Sequence, residues 1–337
     1  MAIAKEEAPM NIRKISGFTL IELLVAVALG MVILAGLFRT FKVQHDSYVV
    51  QDQVSAMQQN LRAAMYMITR DLQMAGYYTN FDRNNRQMDW NDLDGDSDPA
   101  NSMETGRPLL FGSDNVPPGT GVNIKDGTDV IVIVKASTQE GRPLAGSETA
   151  SGTNIGLTSW NLDSESGNDL NTTGKKYGVL VKNDLSYAEI FHLDNSGNID
   201  SSLNESYSAN PDPLLSDRVH RADIIIYKVD DSTPTRPCLV RKNLGQDTGS
   251  YEVIAENIDQ LHFRYQLNDG TWTNDPTGNQ ARVRAVEVLL VARTAFPQRG
   301  YRDTNSITFG GTTIPAPNDS YRRKTLNSIV KTRNVGL

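Results

Sequence analysis

An acidic side chain lies inside the most apolar stretch of this chain. Residues 18–38 are apolar apart from Thr19, Glu22 and two glycines, and about twenty such residues in a helix span a hydrocarbon layer of roughly 30 Å. An unpaired carboxylate costs on the order of 2.5 to 3.5 kcal/mol at the centre of such a layer and less near its surface. The position of Glu22 therefore predicts a partner of opposite charge.

Cleavage just before this stretch would create such a partner. Cutting the bond between Gly17 and Phe18 would leave an α-ammonium on Phe18, one helical turn or about 6 Å from Glu22. A carboxylate in the first turn also interacts favourably with the helix dipole. In a bundle of such helices the acid of one subunit could equally neutralise the ammonium of the next, so Glu22 is a candidate assembly residue.

The residues around this bond resemble the signal of type IV prepilins and type II secretion pseudopilins. The likeness lies in the run GFTLIE from Gly17 to Glu22, which follows the basic residues Arg13 and Lys14. In that family a prepilin peptidase cuts after the glycine and methylates the new amine. The resemblance therefore implies cleavage between Gly17 and Phe18, N-methylation of Phe18 and an assembly role for Glu22.

A removed secretory signal peptide and a plain membrane anchor are the alternatives. A signal peptide has an apolar core of about 7 to 15 residues before a small-residue site, which residues 26–28 (AVA) would offer. Glu22 interrupts that core, however, and the apolar run continues beyond the site. An assembling prepilin fits the sequence better than either alternative.

A cluster of acidic residues further along the chain could bind a metal ion. The aspartates of residues 92–98 alternate with other residues and could converge on Ca²⁺, which takes about six to eight oxygen ligands; they are Asp92, Asp94, Asp96 and Asp98. The run departs from the EF-hand pattern at its glycine and glutamate positions, so a solvated loop is the alternative. Ca²⁺ is the one cofactor that the sequence suggests. Residues 194–200 are similar but join two strand-like stretches, which favours a hairpin turn.

The chain carries no familiar catalytic motif. Its four histidines are scattered, and neither H-E-x-x-H nor G-x-S-x-G occurs. Cys238 is the single cysteine, which excludes an intramolecular disulfide; it is expected to be a buried apolar side chain or, alternatively, to pair with another molecule. We therefore expect no enzymatic activity.

The composition is that of a globular protein. With 337 residues, 39% hydrophobic and 22% charged, the chain can bury a sizeable core. Its net charge of -7 and pI near 5.2 argue against a nucleic-acid partner.

Beyond Phe38 the helix is expected to continue as an amphipathic helix to about Ala75, with Gly76 as its C-cap. Apolar residues recur there at steps of three, four and seven, which places them on one face: Val43, Val50, Val54, Met57, Leu61, Ala64, Ile68 and Leu72. The polar face, which includes Arg70 and Asp71, is expected to be solvated.

The rest of the chain is predicted to form an antiparallel sheet. Residues 78–129 are polar and rich in turn residues, and little regular structure is expected there. Runs typical of strands follow, at residues 129–135, 177–182, 187–193, 222–229, 238–242, 251–255, 260–267, 282–294 and 326–333.

Two further segments resemble PilW-type minor pilins. The first is the run RDL at residues 70–72 with MAGY at residues 74–77, which is also similar to pseudopilin J of type II secretion. The second is ENIDQLHFRY at residues 256–265, followed by the strand-like residues 282–291.

These resemblances imply an α+β, pilin-like fold, in which a long N-terminal helix packs on a large antiparallel β-sheet domain. The implied domains are a leader (1–17), a transmembrane helix half (18–42), an amphipathic helix half (43–76) and an exported β-rich globular domain (77–337). The implied location is the bacterial inner membrane, crossed once, and then a pilus at the cell surface, with the globular domain periplasmic or extracellular.

The implied function is that of a non-enzymatic minor pilin in a tip or priming complex that initiates type IV pilus assembly. Its implied partners are the prepilin peptidase, other minor pilins, the major pilin and a PilY-type tip protein, with no nucleic acid. Pseudopilin J of a type II secretion system is the alternative of the same class, and an exported adhesin with a pilin anchor is the alternative of another class.

Overall fold

The computed structural model describes residues 17–77, 109–112, 124–137, 141–152, 154–156, 177–185, 187–192, 203, 205–243, 251–276, 279 and 282–334. The chain divides into two compact units, Met1–Asp52 and Gln53–Leu337. It combines a long N-terminal apolar helix with a large antiparallel β-sheet domain, so the predicted α+β fold is confirmed.

The helix α1 (Leu20–Gln73) is followed by a turn that ends at Tyr77. Gly76 in this turn has a φ of 76°, a left-handed conformation that a glycine adopts without strain. Within the second unit the buried residues of α1 recur at steps of three and four, as expected for a helix packed along one face: Met57, Leu61, Ala64, Met65, Ile68, Asp71 and Leu72.

Strands are the main regular structure in the described part of the second unit. In chain order they are β1 (Leu109–Gly112), β2 (Val130–Ala136), β3 (Arg142–Pro143), β4 (Thr149–Ser151), β5 (Asn154–Ile155), β6 (Tyr177–Val181), β7 (Ala188–His192), β8 (Tyr207–Ser208), β9 (Arg218–Asp230), β10 (Cys238–Asn243), β11 (Glu252–Glu256), β12 (Ile258–Leu267), β13 (Trp272–Thr273), β14 (Val283–Arg293), β15 (Ile307–Phe309), β16 (Thr312–Ile314) and β17 (Arg323–Lys331). The strand β1 lies within residues 78–129, where little regular structure was expected.

The larger sheet is built around β9. The second half of β9 pairs with β2 on one side and β10 on the other, and β1 and β11 extend the sheet outward. The first half of β9 pairs with β3 and β6, and β6 pairs in turn with β7. Every residue of β2 is buried, which is typical of a strand covered on both faces.

A second sheet has the strand order β13-β12-β14-β17, and all its pairs are antiparallel. It follows directly from the first sheet, because β11 and β12 are separated by Asn257 alone. The main hydrophobic core lies between the second half of α1 and both sheets. Its largest buried side chains include Leu61, Ile68, Tyr227 and Phe263.

A buried aspartate on β12 forms ion pairs with arginines on the two neighbouring strands of the second sheet, β14 and β17. Asp259 on β12 accepts a 2.6 Å hydrogen bond from Nε of Arg323 on β17 and forms an ion pair with Lys125, which precedes β2. Arg293 at the end of β14 lies 3.8 Å away. Burial by itself would raise the pKa of Asp259, but Lys125 and Arg323 outweigh it, and the pKa is lowered.

Candidate processing and assembly site

Thr19 and Glu22 form a reciprocal cap at the start of α1. The backbone N–H and the hydroxyl of Thr19 each donate a 2.9 Å hydrogen bond to Oε2 of Glu22. The N–H of Glu22 donates in return to the Thr19 hydroxyl at 3.3 Å. This is the capping-box arrangement, in which a threonine and a glutamate three residues later satisfy helix donors that have no other partner.

The cap changes the expectation for Glu22. The carboxylate was expected to need a charged partner, whereas it already accepts two hydrogen bonds from Thr19. Both bonds use Oε2, so Oε1 can still accept a bond from an ammonium group.

Gly17 lies before the helix in an open position. Residues 17–19 are outside α1, and a Cβ added to Gly17 would meet no atom within 4 Å. Folding of the chain therefore does not require glycine at this position. A requirement for glycine would have to come from a molecule that binds here.

The first half of α1 exposes its apolar side chains. Within the first unit the large apolar side chains from Phe18 to Phe41 are 49 to 88% exposed. Among the described residues, α1 is the helix that is long and apolar enough to cross a membrane. Apolar surface of this extent is unfavourable in water and needs lipid or other helices to cover it.

A buried hydrogen-bonded cluster lies near the other end of the helix, where Asp71 binds Tyr227 and Arg241. We call this cluster the anchor. Oδ2 of Asp71 accepts a 2.6 Å hydrogen bond from the Tyr227 hydroxyl and a 3.0 Å bond from Nε of Arg241. Burial, and then the nearby Asp71 carboxylate, raise the pKa of Tyr227, so the phenol remains a donor.

The expectation that Asp71 is solvated is wrong, because its side chain is only 3% exposed. The neighbouring Arg70 does lie in solvent, at 55% exposure. Asp71 is three residues after Ile68 and seven after Ala64, so the helical spacing that identifies the buried face also includes Asp71.

The remaining candidates are dispersed or lie outside the described residues. Asp92, Asp94, Asp96 and Asp98 are outside them, as are residues 194–200. The described part of the chain contains no group of three His, Cys, Asp or Glu side chains that could hold a metal ion.

Cys238 is a free cysteine that is partly rather than fully buried, and its thiol lies 3.3 Å from the Arg236 carbonyl. Burial, and then the nearby Glu256, raise the pKa of this thiol. A raised pKa disfavours the reactive thiolate form.

Family models match the chain at both ends. Residues 12–38 match the prokaryotic N-terminal methylation motif, and residues 226–334 match PilW, the type IV pilus-assembly protein W. The chain is therefore similar to PilW-like type IV minor pilins in both of these regions. A solved structure of a type IV-like pilin from Thermus thermophilus is similar at 13% identity with a TM-score of 0.35, covering 82% of this chain and 95% of that chain. No curated protein matches the chain.

The two family matches cover different structural features of the chain. The methylation motif contains Gly17, Thr19 and Glu22. The PilW-like region contains the second sheet and also the two partners of Asp71, which lie on β9 and β10 of the larger sheet. Asp71 itself lies outside both matched ranges. Its hydrogen bonds connect the amphipathic half of α1 to the PilW-like region.

Proposed function

We propose that this PilW-like chain is a non-enzymatic minor pilin that is processed by prepilin peptidase and joins a tip or priming complex that initiates type IV pilus assembly. The observation that carries the proposal is the run from Gly17 to Glu22, placed at the start of an exposed apolar helix. In this proposal residues 1–17 are the leader, 18–42 the transmembrane half of the helix, 43–76 its amphipathic half and 77–337 the exported domain.

The geometry before the helix supports cleavage at the Gly17–Phe18 bond. Residues 17–19 are non-helical, and Gly17 and Phe18 are exposed, so a peptidase can reach the bond without unwinding α1. Phe18 would then carry the new amine and its methyl group.

Glu22 is the proposed assembly residue. Oε2 holds the Thr19 cap, and Oε1 would pair with the ammonium of Phe18, either its own or that of a neighbouring subunit. Such a pair neutralises two charges that are unfavourable in lipid.

The size of the exported domain favours a location at the tip of the pilus. A domain of this size fits poorly along a tightly packed helical shaft but can be accommodated at an end. The proposed route runs through the bacterial inner membrane, crossed once, into the pilus at the cell surface. The proposed partners are the peptidase, other minor pilins, the major pilin and a PilY-type tip protein.

Deletion of the gene tests this function against its alternatives. We expect loss of surface fibres, restored by the wild-type chain, with secretion of exported enzymes unchanged. Lost secretion with normal fibres would instead assign the chain to a type II pseudopilus, as pseudopilin J. Normal fibres with lost surface attachment would assign it to the adhesins.

A further inference from the structure

The last strand of the second sheet has an open edge. β17 pairs with β14 from Arg323 to Lys331 without a register shift. On its other side no strand within the described residues pairs with it.

Two hydrogen bonds beyond the ends of this pair show which backbone groups point outward. Thr294 N–H donates to the Arg322 carbonyl at 2.9 Å, and Thr332 N–H donates to the Arg284 carbonyl at 3.0 Å. Hydrogen-bonded pairs alternate along an antiparallel ladder, so the even-numbered residues of β17 bond to β14. The N–H and C=O groups of the odd-numbered residues point away from β14.

The outward groups at the centre of the edge belong to Thr325, Asn327 and Ile329. All three side chains are exposed, Ile329 by 58%. Within the described residues their outward backbone groups have no protein partner. The edge therefore offers a row of donors and acceptors to a further strand.

Several other edges in the described part of the two sheets are protected or short. The Leu261 carbonyl and the Phe263 N–H of β12 bond to the backbone and side chain of Asp129, at 2.9 and 2.8 Å. The β10·β11 pair contains a register shift, and Asn60 donates to the Glu256 carbonyl on β11 at 3.1 Å. β1 and β13 are only four and two residues long. Compared with these, β17 is long, regular and uncovered.

The charge of the edge identifies the kind of strand that fits. Lys324 lies at one end and Lys331 and Arg333 at the other; all three are exposed and form no ion pair among the described residues. No acidic residue follows Asp319, although the whole chain has a net charge of -7. Pairing with β17 of a second copy would bring lysines together, which is unfavourable. An acidic strand would place opposite charges at both ends.

We propose that the open edge of β17 binds an extended acidic segment of another polypeptide as an added β-strand. Main-chain hydrogen bonds to Thr325, Asn327 and Ile329 would supply the affinity, and the flanking lysines would select acidic sequences. This surface does not depend on cleavage at Gly17, so the uncleaved full chain can be tested.

The test is binding of synthetic peptides to the full-length chain in detergent micelles, measured by fluorescence anisotropy. The probe is a peptide of about ten residues that alternates Thr and Val between paired glutamates. We expect it to bind. A peptide with lysines in place of the glutamates, or with alternate amides N-methylated, should bind at least about tenfold more weakly.

Two variants of the chain complete the test. Thr325→Pro removes one outward N–H, a change that an edge strand tolerates, and should weaken binding about tenfold with little change in Tm. Lys324→Glu with Lys331→Glu should reverse the preference toward the lysine peptide. The control, Arg299→Glu with Arg302→Glu, makes the same charge change at exposed residues outside β17 and should leave the preference unchanged.

Three results would overturn the proposal. They are absence of binding by the glutamate peptide, equal binding by the N-methylated peptide, and an unchanged preference after the double lysine substitution. Self-association of the chain that Thr325→Pro abolishes would also overturn it, because a second copy would then occupy the edge.

Discussion

The Tyr227 hydroxyl donates a 2.6 Å hydrogen bond to the Asp71 carboxylate, across 156 residues of sequence. The bond joins the last turn of α1 to the second half of β9, and Arg241 on β10 donates to the same oxygen at 3.0 Å. One buried carboxylate thus connects the helix to two neighbouring strands of the larger sheet.

Asp71→Ala should lower the free energy of unfolding by about 3 kcal/mol or more, because it leaves the Arg241 guanidinium without its acidic partner. Tyr227→Phe removes a single bond to a charged group and should cost about 1.5 to 3 kcal/mol. Arg70→Ala is the comparison, because it removes only the 3.7 Å ion pair between the exposed Arg70 and Asp71, and it should change stability by less than about 1 kcal/mol. Urea denaturation of the full chain in detergent measures all three. Equal effects of Asp71→Ala and Arg70→Ala would contradict the claim that the hydrogen bonds of Asp71 stabilise the contact between α1 and the larger sheet.

The stability of the second sheet should depend on acid pH through Asp259. The pKa of this carboxyl is lowered in the folded protein, so the unfolded chain binds more protons as the pH falls. The stabilisation is therefore complete above the unfolded pKa of about 3.9 and is lost as the pH falls through the lower folded pKa. Asp259→Asn should reduce stability at neutral pH and flatten this acid dependence. Asp126→Asn, at an exposed position, is the control, and parallel pH curves for wild type and Asp259→Asn would refute the assignment.

The cap on α1 separates two roles for Glu22. Thr19→Val removes the hydroxyl from the cap but keeps the carboxylate, whereas Glu22→Gln removes the charge. If the charge drives assembly, Glu22→Gln and Glu22→Ala should lower co-purification of partner pilins about tenfold or more, and Thr19→Val should not. Cleavage and membrane insertion should survive in all three. Equal losses in Thr19→Val and Glu22→Ala would mean that Glu22 serves only as a helix cap.

Processing should depend on Gly17 through the peptidase rather than through folding. Gly17→Val enters open space, so the chain should fold but remain an uncleaved precursor. Gly30→Ala also enters open space and should be cleaved normally. Intact-mass spectrometry of the purified chains distinguishes these outcomes. A mature N-terminus other than methylated Phe18 in the wild type would contradict the proposed site.

Calcium binding by residues 92–98 remains a prediction. If Asp92, Asp94 and Asp96 share Ca²⁺, millimolar calcium should raise the Tm relative to EGTA, because a ligand bound only by the folded state stabilises it. Asp94→Asn with Asp96→Asn should abolish the difference. Identical melting curves for the wild type in both buffers would leave only a solvated loop.

Long periodic elements could be predicted from the sequence, whereas short elements could not. All nine strand-like runs correspond to strands, because each is long enough for alternation or a continuous apolar run to be recognised. The first half of β9 was not predicted, because its polar residues Arg218, His220 and Arg221 interrupt the apolar pattern of a buried strand. This half pairs with β3 and β6. The remaining missed strands have only two to four residues, too few to show a period.

The candidate site was predictable where it depends on local sequence. The Gly17 to Glu22 run identified the start of α1, and Thr19 with Glu22 three residues later fits the sequence pattern of a capping box. The partners of Asp71 and Asp259 were not predictable in this way, because Tyr227 and Arg323 lie on other strands and sequence separation gives no sign of the contact.

The junction at Asn257 has a consequence for how related sequences can vary in length. This residue alone carries the chain from β11 to β12, with a φ of 59°, and its carbonyl accepts a 2.9 Å hydrogen bond from the Arg293 N–H. Because strand side chains alternate with a period of two, inserting or deleting one residue here would turn the core face of β12 outward. Insertions and deletions should therefore be absent between residues 252 and 267 and be confined to connections elsewhere.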